Sequence, residues 1–360
     1  MTWTFEWHTT WAEVWDNEFE ARWRALLGQA PHSRAFHRPE VVRAWAETCG
    51  KAAGAAPVVG VATSADGHQV LLTWVVVTYR GRRGARRVLE PVGQALFGYH
   101  SPLVVPVSGS APDWESFWEA ARRELRAACD QARLRFIDAE QGVGRRSSVC
   151  GEASPILRLS GVGTLADLLA TRSANHRGDV GKKFRRAAER GHVRFHVFGP
   201  DDAAEARRSF AAEFVPAYGA VWDGRPEGNV LASPPVLAFA TRLVDEGVGQ
   251  SWTHYSRLTI GDEAVAWHLG LLHRGELYFW MPTHDVAWSG VSPGKLLLAR
   301  LIEHGLDSGW STVHFQTGAH DYKRAWTDDD AGLRAIRWFS PSLKGCLLGL
   351  YDAWRDRIPA

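Results

Sequence analysis

Three strand-like runs in direct succession, followed by helix, strand, short helix and strand, govern what the second half of this chain can fold into. The runs are SWTHYSRL (251–258), EAVAWHLGLL (263–272) and GELYFWMP (275–282). After them come a helix (293–308), the strand STVHFQ (311–316), a short helix in HDYKRAW (320–326), the strand LRAIRWF (333–339) and a terminal helix (343–356). Period-two alternation marks the strands, and apolar recurrence at three and four residues marks the helices. Such an order describes a mixed α/β protein.

The rest of the chain has the same character. Helices at 163–172 and 175–190, the strand VRFHVF (193–198), a helix at 201–217, a loop rich in Gly and Pro (222–235) and a helix at 236–246 lead into the three runs. The first half reads as helices 11–27 and 39–48, strands 57–63, 69–79 and 86–90, a Gly- and Pro-rich stretch (91–112), the helix DWESFWEAARRELRAACDQA and the strand LRFIDAE. GVGRRSSVCGEASP (142–155) interrupts periodicity and sets the expected boundary between lobes 1–150 and 151–360. ATSADGHQVLLTWVVVTYRGRR (62–83) and SRLTIGDEAVAWHLGLLHRGEL (256–277) share a pattern of strand, Gly/Asp turn, Trp-bearing strand and Arg-Gly turn. That echo fits two related lobes and also fits generic hairpin chemistry.

With 360 residues and 45% apolar composition, the chain can bury large cores. Most of the 18 tryptophans are expected in packing; Thr10 and Glu13 read as a capping box opening a helix on which Trp11, Trp15 and Phe19 share a face. A net charge of +2 does not describe a general nucleic-acid binder, and no DNA partner is expected, yet GRRGARR (81–87) and GKKFRRAAER (181–190) concentrate cations. The N-terminus lacks a basic region followed by an apolar stretch, and no run of the length a membrane helix needs appears, so a cytoplasmic protein without membrane insertion is expected. Cys49, Cys129, Cys150 and Cys346 lack C-x-x-C spacing, and reduced thiols are expected. His192 and His196 alternate on a strand, and His314 and His320 straddle a turn without a carboxylate pattern, so no metal is expected. P-loop, G-x-S-x-G and Cys/His signatures are missing as well.

VSPGKLLLARLIEHGLDSGW (291–310) carries the most specific local chemistry. Ser292 suits an N-cap and Pro293 the first turn, while Gly294 would let an anion approach free backbone N–H groups beside Lys295. A plain capped helix buried through Leu296, Leu297, Leu301 and Ile302 is the alternative.

Four stretches, FHRPEVVRAWAETCG (36–50), NHRGDVGKKFRRAAERGHVRF (175–195), DEAVAWHLGLLHRGELYFWMPTHDVAWSGVSPGKLLLARLIEHG (262–305) and FQTGAHDYKRAW (315–326), resemble the GNAT acyltransferases. They are most similar to the two-lobed branch of cellulose-biosynthesis-type acetyltransferase-like proteins, whose relatives include Fem-type aminoacyl-tRNA-dependent peptidyltransferases. The resemblance implies tandem GNAT-like lobes, each a mixed, mostly antiparallel sheet flanked by helices, with the cleft between them and mainly on the second. It implies N-acyl transfer from an acyl-CoA or acetyl-CoA thioester to an amine of a small or sugar-like acceptor. An aminoacyl-tRNA-dependent amide-forming transferase is the rival, and a non-catalytic ligand-binding protein the third reading.

On the GNAT pattern, Ser292, Pro293, Gly294 and Lys295 occupy the place that binds the coenzyme A diphosphate, although VSPGK keeps one glycine of the usual Gln/Arg-x-x-Gly-x-Gly/Ala loop. Tyr322 matches the tyrosine that protonates the leaving thiolate, or is simply a packed tyrosine. His268, a titratable group inside an apolar run, is the candidate amine-deprotonating base, or a hydrogen-bonded core histidine. Asp285 is a second candidate base, or a loop cap. The oxyanion would be held by a backbone N–H along 266–271, where Gly270 permits a bulge. Lys182, Lys183, Arg185 and Arg186 would face a phosphate-bearing acceptor or a tRNA stem, or solvent. Lys323 would act likewise, or pair with Asp321 or Glu213. Relatives often carry an acidic residue and a glycine where this chain has His314 and Gln316.

Overall fold

The computed structural model describes residues 2–81, 84–107, 110–144, 147–225, 228–318 and 320–355. In chain order the strands and α-helices are β1 (Trp3–His8), α1 (Trp11–Val14), α2 (Asn17–Gln29), α3 (Pro39–Trp45), β2 (Ala56–Ser64), β3 (Gln69–Gly81), β4 (Gly84–Pro91), β5 (Leu103–Val105), α4 (Trp114–Glu124), β6 (Gln131–Ile137) and β7 (Ser147–Val149). They continue with β8 (Ile156–Arg158), α5 (Leu165–Ala170), α6 (Ala174–Ala188), β9 (Val193–Phe198), α7 (Ala203–Ser209), α8 (Val215–Trp222), α9 (Pro234–Gly247), β10 (Thr253–Ile260), β11 (Glu263–His273) and β12 (Glu276–His284). The last are α10 (Pro293–Asp307), β13 (Thr312–His314), α11 (Asp321–Arg324), β14 (Arg334–Phe339) and α12 (Leu343–Arg355).

These elements form two units, each built on its own mixed, mostly antiparallel sheet flanked by helices, as expected for tandem lobes. The first sheet has the order β1-β2-β3-β4-β6-β14-β7, with β5 also on β3; the second has β8-β13-β12-β11-β10-β9. A common plan is visible. In each, a run of antiparallel strands (β1 to β4; β9 to β12) meets a parallel strand (β6; β13) reached through a helix (α4; α10). The weak sequence echo falls on equivalent hairpins, β2–β3 and β10–β11.

The division differs from the expected one at the C-terminal end. Ser154–Asp330 make up the second unit, and the segment from Ala331 onward joins the first. The strand expected to finish the second lobe is β14, which pairs with β6 and β7 instead. The edge of β13 is already occupied by β8, so no backbone donors remain there for another strand. Arg82, Arg83, Arg145 and Arg146 of the basic stretches noted above lie outside the described residues.

Packing accounts for many of the tryptophans. Trp74, Trp118, Trp114 and Trp338 line the core of the first unit with Phe117 and the β-branched residues of β2 and β3. The Thr10–Glu13 capping box is present, but it opens only the short α1; Asp16 then caps α2, and Trp11, Trp15 and Trp23 stack across the break. In the second unit, α10 lies on one face of the sheet through Leu298, Leu301 and Ile302, and the other is covered by Phe210 and Phe214, from the π-helical segment that joins α7 to α8, and by Val244 of α9. All four cysteines are free.

Candidate active site

The second sheet opens where its parallel strands part. β12 and β13 pair at Glu276–Thr312, Leu277–Val313 and Tyr278–His314, after which β12 runs on to His284 alone. On its other side, the register of β12 against β11 slips between Leu269 and Gly270, which leaves Trp280 as an extra residue in a bulge. Beyond His314 the chain bends away: Phe315 donates its N–H to the Pro155 carbonyl at 3.0 Å, and Gln316 takes φ 60°. The result is a wedge between the parting strands, above the buried rings of Phe279 and Phe315, which meet edge-on at 5.7 Å. Parallel direction brings the start of α10 and the start of α11 to the C-terminal ends of the two diverging strands.

Gly270 is required at this point. A Cβ there would sit 2.5 Å from the Tyr278 carbonyl oxygen and 2.6 Å from Cε1 of His268, closer than real Cβ atoms come.

His268 is brought under this surface and not into the wedge. It is fully buried, stacks on Phe279 at 4.5 Å, and faces His254 with Nδ1 atoms 3.2 Å apart. Desolvation holds its pKa well below the ordinary value, with the neighbouring His254 adding to the effect; burial takes His254 down to about 3. Its reading as a hydrogen-bonded core histidine fits this geometry, and an amine acceptor has no route to it. Asp285 caps the 310 turn Val286–Val291, accepting the Ala287 N–H at 2.9 Å, so its carboxylate is engaged in the loop.

The opening of α10 departs from expectation as well. Ser292 is left-handed (φ 55°, ψ 62°) and its side chain caps nothing. Its carbonyl instead accepts the N–H of Lys295 at 3.0 Å and of Leu296 at 3.4 Å, and Pro293 has no N–H. Of the donors that a helix start normally presents, Gly294 has the amide that does not bond back to Ser292. Lys295 is neutralised by Asp179 of α6 at 2.6 Å, and that pair holds the Asp179 carboxyl below its usual range.

Two groups near the wedge were not expected in these roles. His284 ends β12 next to Gly294, whose Cβ position lies 3.9 Å from His284 Nδ1; half-burial and, secondarily, the Arg225 charge lower its pKa. The signal available in sequence was its place at the last strand position before the turn. Lys323 pairs with neither Asp321 nor Glu213. It is 6% exposed, donates from Nζ to the Thr317 carbonyl at 3.0 Å, and burial brings its pKa to about 8. Glu213 is taken up by Arg257, Ser209 and the Trp267 indole. Tyr322, beside Lys323, is 37% exposed, stacks with His320 at 6.0 Å, and has its hydroxyl pKa raised by burial of the phenol.

α6 brings cations to the flank of α10. Its Val180 and Ala187 are buried, while Lys182, Arg185 and Arg186 are exposed and Lys183 is half-buried. None of these four forms an ion pair among the described residues, although the Lys183 charge adds to that of Lys295 on Asp179. Arg190 follows, its guanidinium 5.4 Å above the ring of Trp288, in the turn that leads into α10. No cluster of three metal-ligating side chains occurs among the described residues.

Comparison with known proteins bears on the fold. Residues 174–324 match the acetyltransferase (GNAT) domain family. The fold is similar to the crystal structure of FemX, with a TM-score of 0.58 and 10% identity over 97% of this chain and 99% of that one. It is also similar to the C-terminal domain of an Agrobacterium fabrum protein designated a lysylphosphatidylglycerol synthetase, with a TM-score of 0.54 and 12% identity over 93% and 96%. A conserved Bacteroides thetaiotaomicron protein of unknown function gives 0.51 and 8% over 88% and 96%. Comparison with functionally curated proteins finds no match.

Proposed function

We propose that this chain, an acyltransferase of the GNAT type with its GNAT domain at residues 174–324, draws its acyl group from an aminoacyl-tRNA and forms an amide on an amine acceptor. The observation that carries the reading is the exposed cation row Lys182, Arg185 and Arg186 on α6 beside an α10 start that keeps few donors for a diphosphate. A coenzyme A cradle needs several outward amides in one turn. Here Pro293 has none, those of Lys295 and Leu296 turn back to Ser292, and Lys295 is spoken for by Asp179. The residues therefore do not fit coenzyme A.

From Lys182 to Arg186 is a rise of about 6 Å along the helix, with Arg190 following in the turn beyond its end, a cationic edge that backbone phosphates of an RNA acceptor stem can meet. Likeness to FemX and to the lysylphosphatidylglycerol synthetase domain is consistent with an aminoacyl donor, since the Fem type resembled by the sequence uses one.

The chemistry follows from the wedge. The ester carbonyl enters between β12 and β13, and the acceptor nitrogen attacks its carbon. The C–O bond to the ribose then breaks, and the proton lost by the amine ends on the departing hydroxyl. Lys323 places a buried positive charge where the tetrahedral oxyanion forms, and amides of the Trp280 bulge add to it. His284, neutral near pH 7, accepts the amine proton. Tyr322, its phenol kept protonated, donates to the leaving oxygen, and the proton that His284 took from the amine returns to the phenolate through solvent, so that both groups are restored. Asp285 stays a cap and His268 a support beneath the bulge.

With labelled aminoacyl-tRNA and a pool of amino sugars and amino acids, the protein is expected to yield labelled amide. Tyr322→Phe and His284→Ala each lower turnover by about a hundredfold with melting temperature preserved. Wild-type rates in both variants would remove these two assignments, and acyl-CoA turnover without aminoacyl-tRNA turnover would overturn the donor.

A further inference from the structure

The turn that leads into α10 holds a tryptophan whose polar group is already satisfied. Trp288 lies in the 310 turn Val286–Val291, its backbone N–H donating to the Asp285 carbonyl at 3.1 Å. Its indole Nε1 donates to Glu263 Oε2 at 3.1 Å, which ties the ring to the start of β11. The half-buried ring packs against the cluster of Ala187, Val265, Val291 and Leu296. What the indole still offers is a π-face.

Arg190 covers that ring. It stands just past the end of α6, with its N–H on the Ala187 carbonyl at 3.0 Å, its guanidinium carbon 5.4 Å from the ring centre and Nη2 3.9 Å from the place of a Cβ on Gly290. The side chain is thus laid along the turn, and it forms no ion pair among the described residues. Arg190 is exposed, so a planar cation backed by an indole faces outward at this point. Lys183 and Arg186, three apart on α6, lead toward it along one helix face. In the chain the turn lies between His284 and Gly294, the two groups that meet beside the wedge.

We propose that Arg190 and Trp288 form a stacking platform for an unpaired nucleobase in the single-stranded 3′ end of the donor RNA. The inference rests on the aminoacyl-tRNA reading above and adds to it where the RNA is held by something other than phosphate contacts. Unpaired bases bind on aromatic rings and on guanidinium planes, because every base has a π-face. A phosphate needs only the charge, for which a lysine on solvent serves as well as an arginine on a ring. In the bound state the order is indole, guanidinium, base. Stacking of this kind releases no counterions, so it strengthens binding without steepening the salt dependence that the α6 cations set.

Binding of an RNA hairpin with a single-stranded 3′ end tests it, with 2-aminopurine placed at each unpaired position in turn. The wild-type protein is expected to quench one of these positions, and an abasic nucleotide there to weaken binding by about tenfold or more. Trp288→Ala weakens binding to a similar extent, keeps the wild-type salt slope and is indifferent to the abasic change. Arg190→Lys keeps the charge and removes the plane, and is expected to weaken binding severalfold at the same slope. Should Trp288→Ala lower the melting temperature, Arg190→Lys against the abasic hairpin gives the same reading on an intact turn. A hairpin bound equally well with and without its unpaired bases overturns the platform and leaves the donor assignment standing. Arg190→Lys binding like the wild type would make Arg190 a plain charge, and overturns the platform too. If the wild-type protein binds no hairpin even at low salt, the platform and the donor assignment fall together.

Discussion

Between pH 7 and pH 5 the first unit is expected to lose about 4 kcal/mol of unfolding free energy, about 2 kcal/mol from each of His37 and His100. Both are buried, and desolvation takes the pKa of each down to about 4. His37 is locked as a neutral tautomer: Nδ1 accepts the Arg34 N–H at 2.9 Å, so Nε2 donates to the Ser101 carbonyl at 2.7 Å. Because the folded values lie below the unfolded one near 6.5, the unfolded chain binds more protons in this window. Stability is complete above about pH 6.5 and falls as pH drops toward 4. The second unit follows the same sign through His254 and His268, whose facing Nδ1 atoms share one proton and would oppose N–H to N–H if both were charged. Chemical denaturation at stepped pH measures the slope. The carboxylates that gain partners titrate lower still, so a flat profile between about pH 6.5 and 5 would contradict the neutral assignments.

Gly270→Val is expected to cost about 3 kcal/mol or more and to abolish transfer, with Gly270→Ala intermediate. The added Cβ meets a backbone carbonyl on one side and the imidazole of His268 on the other, and neither has room. His268 is clamped between Phe279 and His254, so relief must come from opening the β11–β12 pairing at the bulge. Denaturant midpoints and turnover read the two effects separately. A Gly270→Val protein as stable and active as the wild type would show that the bulge is dispensable.

Much of the architecture could be read from the chain because the strands of the second sheet are long and strongly patterned. β10, β11 and β12 each carry alternating apolar residues bounded by Gly turns, and the buried stripe of α10 has a firm period. β14 was legible as a strand but not as a member of the first sheet, since pairing partners depend on which edge is free and periodicity carries no such information. β5, three residues inside a Gly- and Pro-rich stretch, is too short to show a period. At the site, Tyr322 and Lys323 follow the parallel strand as the GNAT pattern implies, but the depth of Lys323 comes from a tertiary turn at Thr317. His268 stood out for being polar in an apolar run, and that same run is what seals it from solvent. Ser292 has the right composition for a cap, yet the left-handed turn before Pro293 aims its side chain elsewhere. For His284 the sequence offers only its place at a strand end, because the parting of β12 from β13 that brings it to the site is a long-range event.

Equilibrium binding of aminoacyl-tRNA across a salt series, beside acetyl-CoA, tests the donor assignment most directly. With four α6 cations on phosphates, log affinity for tRNA is expected to fall against log salt with a slope of about −3, and Lys182→Glu with Arg186→Glu should flatten that slope by about 1.5 to 2. Acetyl-CoA binds weakly in both proteins on this account. Tight acetyl-CoA binding, with tRNA affinity that is absent or indifferent to salt and to the α6 variant, would contradict it.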